Sequence, residues 1–316
     1  MNKKVLYIAA WTALTLTACS SNDDIATVDN LDIRLTTSVD EGTTRAYDAT
    51  NLWGNLKCYF WADQIHNETT EDWISEAWEL KTGSGQLVPY TNGDTRQYPT
   101  VNALNMYAMV GNFTGNIKGT AFPTSGLTHT VEADQTSANL YYKGDLCYAT
   151  LGNQSALNGA ATLTFNHMLS KLHILLVAGT GVTDAQLTDV STTVTVLNVR
   201  RDVIFTPTKK IGPNSTELAN MLTVPAVPTV SPITVKPNVT DGEDVVLPPQ
   251  AFTAGTSLIK VRLGNDDLYF KLNANLTLER GKSYNLTLTI NRDEIKASAT
   301  VTNWGAGTEE DISLYL

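Results

Sequence analysis

Alternation of apolar and polar residues with a period of two is the dominant pattern along the chain. Between residues 31 and 39 it places Leu31, Ile33 and Leu35 on one face and polar or charged side chains on the other. Because successive side chains of an extended chain point to opposite faces, this pattern predicts a strand with one buried and one solvated face. The polar, glycine-containing segment 40–46 ends the strand and is of the kind that proteases cut.

A second strong pattern lies at 160–178, where two strand-like runs, 160–166 and 168–178, follow each other. One face of the second run consists of Leu172, Ile174, Leu176 and Ala178. The other face becomes apolar only toward Val177. This pattern predicts a central strand, packed on one side throughout and on both sides near Val177.

The same criteria predict further strands at 56–62, 101–110, 127–131, 145–150, 194–199, 258–263, 268–272, 284–290, 295–302 and 311–316. Residues 71–80 fit either a short helix or an irregular strand, and 81–100 are predicted to be loops. Six prolines between 224 and 250 confine regular pairing there to short edge pieces. The chain is therefore predicted to be all-β, with antiparallel β-sandwich domains at 46–180 and 181–316.

The N-terminal 18 residues have the features of an export signal, because Lys3 and Lys4 precede the apolar run Val5 to Leu16. The following Leu-Thr-Ala-Cys19 resembles the lipobox of bacterial lipoproteins. The resemblance implies cleavage before Cys19 and acylation of its sulfur and new amino group, which anchors the protein in the outer membrane. Residues 19–45 are then expected to contain a flexible tether followed by the first strand. The alternative is an ordinary signal peptide with an incidental cysteine.

The charge composition argues against a nucleic-acid partner. The chain has 32 acidic and 22 basic residues, a net charge of −10, and its sequence contains no basic run. Nucleic-acid binders present a basic face to the phosphate backbone, so a nucleic-acid partner is not expected.

Export to an oxidising compartment leaves two interpretations of the remaining cysteines, Cys58 and Cys147. They form a disulfide, or they are buried free thiols in strands. His167 and His173 are spaced as two ligands would be, but no cysteine or carboxylate lies at ligand spacing beside them in the sequence. They are interpreted as core or pocket-lining histidines, and neither a metal nor a cofactor is expected.

No enzyme motif is present in the sequence, so catalysis is not expected. The carboxylates of 241–244 and of Asp266 and Asp267 are interpreted as turn residues, with calcium at 241–244 as the alternative.

Four segments carry a resemblance to the fimbrillin family, the subunits of type V pili in Bacteroides-type bacteria. Residues 165–174, Phe-Asn-His-Met-Leu-Ser-Lys-Leu-His-Ile, are similar to the family's F-x-H-x-L-S-K-L segment. Val246-Leu-Pro-Pro-Gln250 is similar to its L-x-P-Q stretch. Residues 284–290 and 301–304 resemble its closing strands, and the order of these segments after the lipobox adds to the likeness.

The resemblance implies two transthyretin-like β-sandwich domains and a lipoprotein precursor at the outer membrane. It also implies cleavage between Arg45 and Ala46 by an arginine-specific protease, which removes the first strand. The mature subunits then assemble with other pilin subunits into an extracellular fimbria by strand donation, supporting adhesion to a host or bacterial surface. The alternating apolar residues Ile312, Leu314 and Leu316 form the candidate donor strand.

Two other classes of protein remain as alternatives. A surface glycan-binding lipoprotein would use the tryptophans at 53, 61, 73 and 78 as a stacking platform, although packing in the core is the better account of them. A lipoprotein glycoside hydrolase would need two carboxylates across a cleft.

Overall fold

The computed structural model describes residues 31–39, 57–83, 86–304 and 306–310. The first-half strands are β1 (Leu35–Val39), β2 (Cys58–His66), β3 (Thr69–Gly83), β4 (Gln86–Pro89), β5 (Leu104–Val110), β6 (Leu127–Thr130), β7 (Cys147–Gln154), β8 (Ala161–His167) and β9 (Ser170–Ala178).

The later strands are β10 (Thr193–Val196), β11 (Asp202–Phe205), β12 (Leu222–Thr223), β13 (Ile233–Val235), β14 (Glu243–Leu247), β15 (Gln250–Phe252), β16 (Ser257–Leu263), β17 (Asp266–Lys271), β18 (Leu276–Leu278), β19 (Lys282–Ile290), β20 (Ile295–Asn303) and β21 (Ala306–Glu310). The helices are α1 (Ala138–Gly144), α2 (Asp184–Leu187), α3 (Ser215–Asn220) and a single 3₁₀ turn, Ala156–Asn158. Within the described residues no helix is both long and apolar enough to cross a membrane.

The first sheet closes on itself in the order β1-β4-β3-β2-β5-β7-β8 and back to β1. Its interior is apolar because the inward positions of each strand carry large side chains, as the alternating burial of β8 shows. Phe60 and Trp78 pack edge-on there, with ring centroids 5.7 Å apart, and Phe165 is fully buried in the same cluster.

The remaining strands form four sheets, in the orders β14-β9-β19-β20-β21, β13-β10-β16-β17, β12-β11-β6 and β15-β18. Their core is continuous with the outer face of the barrel. Tyr148 of β7 joins the two, because its ring packs 5.6 Å from that of Phe205 and its hydroxyl donates to the Thr208 carbonyl at 2.6 Å.

The all-β prediction is confirmed, and the ambiguous segment 71–80 belongs to the long strand β3. The proline-rich region does form short edge pieces, β13, β14 and β15. The prediction of loops throughout 81–100 is wrong, because β4 lies within it and pairs with β3 and β1. Most ladders are antiparallel, as expected of antiparallel sandwiches, but β1 pairs with β8, and β9 with β19, in parallel.

Strand pairing does not follow a boundary at residue 180. Strand β9 lies between β14 and β19, so it joins the sheet of the later strands, and β6 pairs with β11 across the same point. The face of β9 that carries Leu172 and Ile174 is buried as predicted. Val177 is 38% exposed, so the prediction that β9 packs on both sides near Val177 is wrong. The second face of β9 is buried instead at the other end of the strand, at Lys171.

Candidate functional site

The first strand, β1, closes the barrel by lying between two other strands. Strand β1 runs antiparallel to β4, with Leu35 opposite Leu87, and parallel to β8, with Leu35 opposite Ala161. Because β1 has a neighbour on each side, the backbone groups of both neighbouring strands are covered by it. Without β1, β4 and β8 would face each other across a gap one strand wide.

The inward face of this segment is apolar at two of its positions. Ile33 and Leu35 are 7% and 2% exposed and belong to the buried cluster of the barrel, whereas Leu31 is partly exposed. Residues 31–34 lie before the regular strand and pair with the loop at 96–98. There the Ile33 N–H donates to the Arg96 carbonyl, and the Tyr98 N–H donates to the Leu31 carbonyl, each at 2.8 Å.

Thr37 occupies the next inward position, opposite Leu163. Its hydroxyl oxygen is buried and has no hydrogen-bond partner among the described residues. A buried hydroxyl without a partner costs roughly 1–3 kcal/mol of desolvation. The groove is therefore filled imperfectly by β1 at this position, where an apolar side chain would fit the surroundings better.

The outward face of β1 carries a row of hydroxyl pairs. Thr36 lies 2.8 Å from Thr162, and Ser38 lies 2.8 Å from Thr164, in each case oxygen to oxygen. Both pairs are exposed, so this face contributes cross-strand hydrogen bonds but little apolar burial.

The other predicted assembly residues lie outside the described part of the chain. These are the lipidation site Cys19, the cleavage site Arg45 and Ala46, and the donor residues Ile312, Leu314 and Leu316. The strand that immediately precedes the donor segment is described: β21 pairs with β20 at the end of the five-stranded sheet.

The two described cysteines are both free and buried. Cys58 and Cys147 both lie opposite Val110 of β5, one on each side of it. Two strand spacings separate them by about 10 Å, well beyond the Cα distance that a disulfide spans. The structure therefore corrects the disulfide alternative in favour of buried thiols, and burial raises the pKa of the Cys58 thiol.

His173, predicted to be a core or pocket-lining histidine, has a buried carboxylate as its partner. His173 Nδ1 lies 2.7 Å from Asp244 Oδ1, and Lys171 Nζ lies 3.5 Å from the other oxygen of that carboxylate. Asp244 is therefore not a turn residue, as expected from the sequence, but a buried member of β14. Asp267 likewise lies in β17, where both of its oxygens accept hydrogen bonds from Arg262.

His167 lies beside two residues that sequence reasoning did not connect with it, Asp145 and Cys147. Cys147 precedes it by 20 residues and becomes its neighbour only through the pairing of β7 with β8. The sequence predicts strands at 145–150 and 160–166 by their alternation, but alternation does not give the register in which two strands pair. The proximity of these three residues therefore could not be predicted.

The tryptophans do not form a common platform in the described residues. Trp61 and Trp78 are buried core residues, and Trp73 is 40% exposed with its indole N–H donating to the Gln97 carbonyl. Trp53, the fourth, lies outside the described residues.

Comparison with known proteins assigns the chain to a family. The model of the fimbrillin-like family matches residues 44–304. A candidate cell adhesion protein from Bacteroides uniformis is similar in structure, with 18% identity, a TM-score of 0.60, and coverage of 88% of this chain and 99% of that one. A second, from Bacteroides ovatus, has 15% identity, the same TM-score and the same coverage. The search of curated proteins gave no match. Because the family model covers most of the chain, the protein belongs to the fimbrillin-like family.

Proposed function

We propose that the protein is a structural subunit of a type V pilus, exported as a lipoprotein and assembled by donor-strand exchange. Membership of the fimbrillin-like family supports a fimbrial subunit at the cell surface and a structural rather than an enzymatic role. The observation that carries the exchange mechanism is the position of β1, which fills a gap between β4 and β8 in an otherwise continuous barrel.

In this proposal the precursor is held at the outer membrane by acyl chains on Cys19. Cleavage between Arg45 and Ala46 then separates residues 31–39 from the rest of the chain. The cut segment is held afterwards only by non-covalent contacts, so a competing strand can displace it.

Loss of β1 would expose an apolar groove and two rows of unpaired backbone groups on β4 and β8. Such edges bind a further strand readily. Each Leu or Ile side chain that the new strand buries contributes roughly 1.5–3 kcal/mol before the cost of ordering the strand. A donor with an apolar residue at the position of Thr37 would also remove the buried unpaired hydroxyl.

The donor proposed here is the segment with Ile312, Leu314 and Leu316 of another subunit. Its three apolar residues alternate as the inward positions 33, 35 and 37 of the groove require. It directly follows β21, which lies at the end of its sheet and is paired only on the side of β20 in the described sheet order. A segment leaving such an edge can extend toward a neighbour without crossing its own sheet.

The test treats purified precursor with an arginine-specific protease and analyses the product by SDS electrophoresis without boiling. We expect the cut protein to form SDS-resistant ladders, with a new N-terminus at Ala46. Arg45→Ala should abolish the ladders, whereas Arg292→Ala, which changes an exposed arginine elsewhere, should not.

Deletion of 311–316 identifies the donor. Ladders should be lost when every subunit lacks this segment and restored when cut wild-type protein is added to it. Cut wild-type protein that stays monomeric, alone and with a neighbouring pilin, would contradict strand exchange. An uncut monomer that retains a glycan would favour the glycan-binding alternative.

A further inference from the structure

Three side chains with metal-binding atoms converge where strands β7 and β8 leave the barrel. Asp145, Cys147 and His167 are 0%, 0% and 3% exposed. Asp145 Oδ2 lies 2.9 Å from His167 Nδ1 and 3.3 Å from Cys147 Sγ, and the sulfur lies 3.6 Å from the same ring nitrogen. The three atoms form a compact triangle in the protein interior.

Local structure explains the convergence. Asp145 and Cys147 are two residues apart in an extended chain, so their side chains share a face. Cys147 lies directly opposite His167 in the antiparallel pair of β7 and β8. The Leu146 N–H donates to Asp145 Oδ1 at 2.8 Å, which fixes this carboxylate with Oδ2 toward the other two side chains.

We infer that Asp145, Cys147 and His167 bind a Zn²⁺ ion through Oδ2, Sγ and Nδ1. Zinc bonds of about 2.3 Å to sulfur and about 2.0–2.1 Å to nitrogen or oxygen, in tetrahedral geometry, place neighbouring ligand atoms about 3.3–3.6 Å apart. The sulfur–nitrogen distance of 3.6 Å matches zinc bound to both atoms. The sulfur–oxygen and nitrogen–oxygen distances are about 0.2–0.5 Å shorter than tetrahedral zinc requires, and a small rotation of the Asp145 carboxylate would lengthen both.

The chemistry of the three atoms favours zinc over harder cations. A thiolate and an imidazole suit zinc, whereas calcium and magnesium take oxygen ligands. On binding, Zn²⁺ replaces the thiol proton of Cys147, which is released to solvent. The carboxylate and thiolate then carry two negative charges against the two positive charges of the ion, so the buried group is neutral overall.

Neighbouring groups hold the imidazole of His167, which also lines a cavity. The Trp304 ring stacks on the His167 ring at 3.8 Å with an interplanar angle of 8°. The Arg280 guanidinium donates to the His167 carbonyl at 2.7 Å. His167 also lines a cavity of about 470 Å³, together with Lys282 and Asn303. A water molecule would be the fourth ligand of the ion.

The zinc would join the start of β7 to the end of β8, directly before the chain passes into β9. It would stabilise the junction between the barrel and the five-stranded sheet. This role is independent of strand exchange, because it needs neither cleavage nor a second subunit.

The test uses the purified full chain, stripped with a chelator under mild denaturation, refolded with Zn²⁺ or Co²⁺ and dialysed. We expect about one zinc per chain by elemental analysis, since the site has one set of ligands. The cobalt form should show the intense ultraviolet absorption of a thiolate–cobalt bond and the visible bands of tetrahedral coordination. Zinc should raise the thermal midpoint of the refolded protein.

Cys58→Ser is the matched control, because it changes the other buried cysteine and should keep the metal and both cobalt signals. Cys147→Ser should abolish the thiolate–cobalt absorption. His167→Gln and the near-isosteric Asp145→Asn should lose the zinc while circular dichroism shows a folded chain. Folded wild-type protein without zinc, retention of zinc in Cys147→Ser, or binding of copper but not zinc would overturn the inference.

Discussion

Strands β1 and β9 each lie between two neighbours, yet they are attached very differently. Within the described residues, β1 pairs with β4 at Leu35 and Thr36, and with β8 from Leu35 to Val39. Strand β9 pairs with β19 from Lys171 to Ala178, and with β14 from Ser170 to Ile174. The β9–β19 ladder is therefore longer than the β1–β8 ladder, in line with the proposal that β1 can be displaced once the chain is cut.

The polar faces of β1 and β9 also differ in how far their side chains are exposed. The outward hydroxyls of β1 are exposed and could pair with water as readily as with Thr162 and Thr164. The polar face of β9 places buried Lys171 and partly buried His173 against Asp244 of β14, so the departure of either strand from this sheet would break the Lys171–Asp244 ion pair. These contacts accord with the proposal that β1 is exchanged while β9 stays in its sheet.

Removal of the shared carboxylate should have the largest effect. Asp244→Ala removes the carboxylate that buried Lys171 and partly buried His173 share, and loss of one member of a buried pair typically costs about 3–5 kcal/mol. Unfolding by denaturant measures this decrease. The control is Asp267→Ala, which breaks an exposed pair with Arg262 and should cost less than about 1 kcal/mol. Equal effects of the two substitutions would show that β9 is not held by buried charge.

Truncation of one core leucine in each strand tests whether β1 leaves the fold while β9 stays. Leu35→Ala and Leu172→Ala each empty a buried site and should each destabilise the uncut protein by about 2–5 kcal/mol. After cleavage and strand exchange, Leu35 is no longer part of the fold, so its substitution should have no effect. Leu172→Ala should destabilise cut and uncut protein alike. Persistence of the Leu35→Ala effect after exchange would indicate that β1 never leaves.

A third prediction places the acid sensitivity of folding stability in His129 of β6 and not in β1 or β9. His129 of β6 is fully buried and neutral, since its Nδ1 accepts from the Asn112 N–H at 3.0 Å and its Nε2 lies 2.8 Å from the Gly144 carbonyl. Burial lowers the pKa of His129 to about 4, although Asp145 and Glu132 nearby act in the opposite direction.

The unfolded chain, with an ordinary histidine pKa of 6.5, binds more protons than the folded chain between about pH 6.5 and 4. Stability from this residue is therefore complete above about pH 6.5 and is lost as the pH falls to about 4, by about 3 kcal/mol. His129→Gln should flatten this slope of unfolding free energy against pH. His66→Gln, at an exposed position, should leave it unchanged, and a slope that survives in His129→Gln would place the acid sensitivity elsewhere.

These regions also show what the sequence can and cannot predict. Burial of Ile33, Leu35 and Leu172 follows directly from period-two alternation, since one face of a strand must pack. The burial of Lys171 could not be predicted, because it depends on the register that brings Asp244 of β14 onto the same face, 73 residues later in the sequence. The grouping of Asp145 and Cys147 with His167 was missed for the same reason, as pairing register is a non-local property.

Strand β4 was missed for a different, local reason. Its four residues, Gln86–Pro89, lie among glycines and other turn-forming residues, and so short a segment carries too little alternation to recognise. Its partners β3 and β1 decide its conformation, and these contacts are visible only in the folded barrel.

The smallest effect should come from the outward face of β1. Ser38→Ala and Thr164→Ala each remove one hydroxyl of an exposed pair, and a double-mutant cycle isolates their coupling, expected at about 0.2–1 kcal/mol in uncut protein. Tyr269→Ala combined with Ser38→Ala is the control, because Tyr269 lies in β17 of another sheet and the two effects should add. After strand exchange the Ser38–Thr164 coupling should vanish, since the donor strand carries its own residue at that position. A coupling above this range would show that the outward face of β1 contributes strongly to its attachment. It would contradict the idea that weak pairing on this face allows β1 to be exchanged.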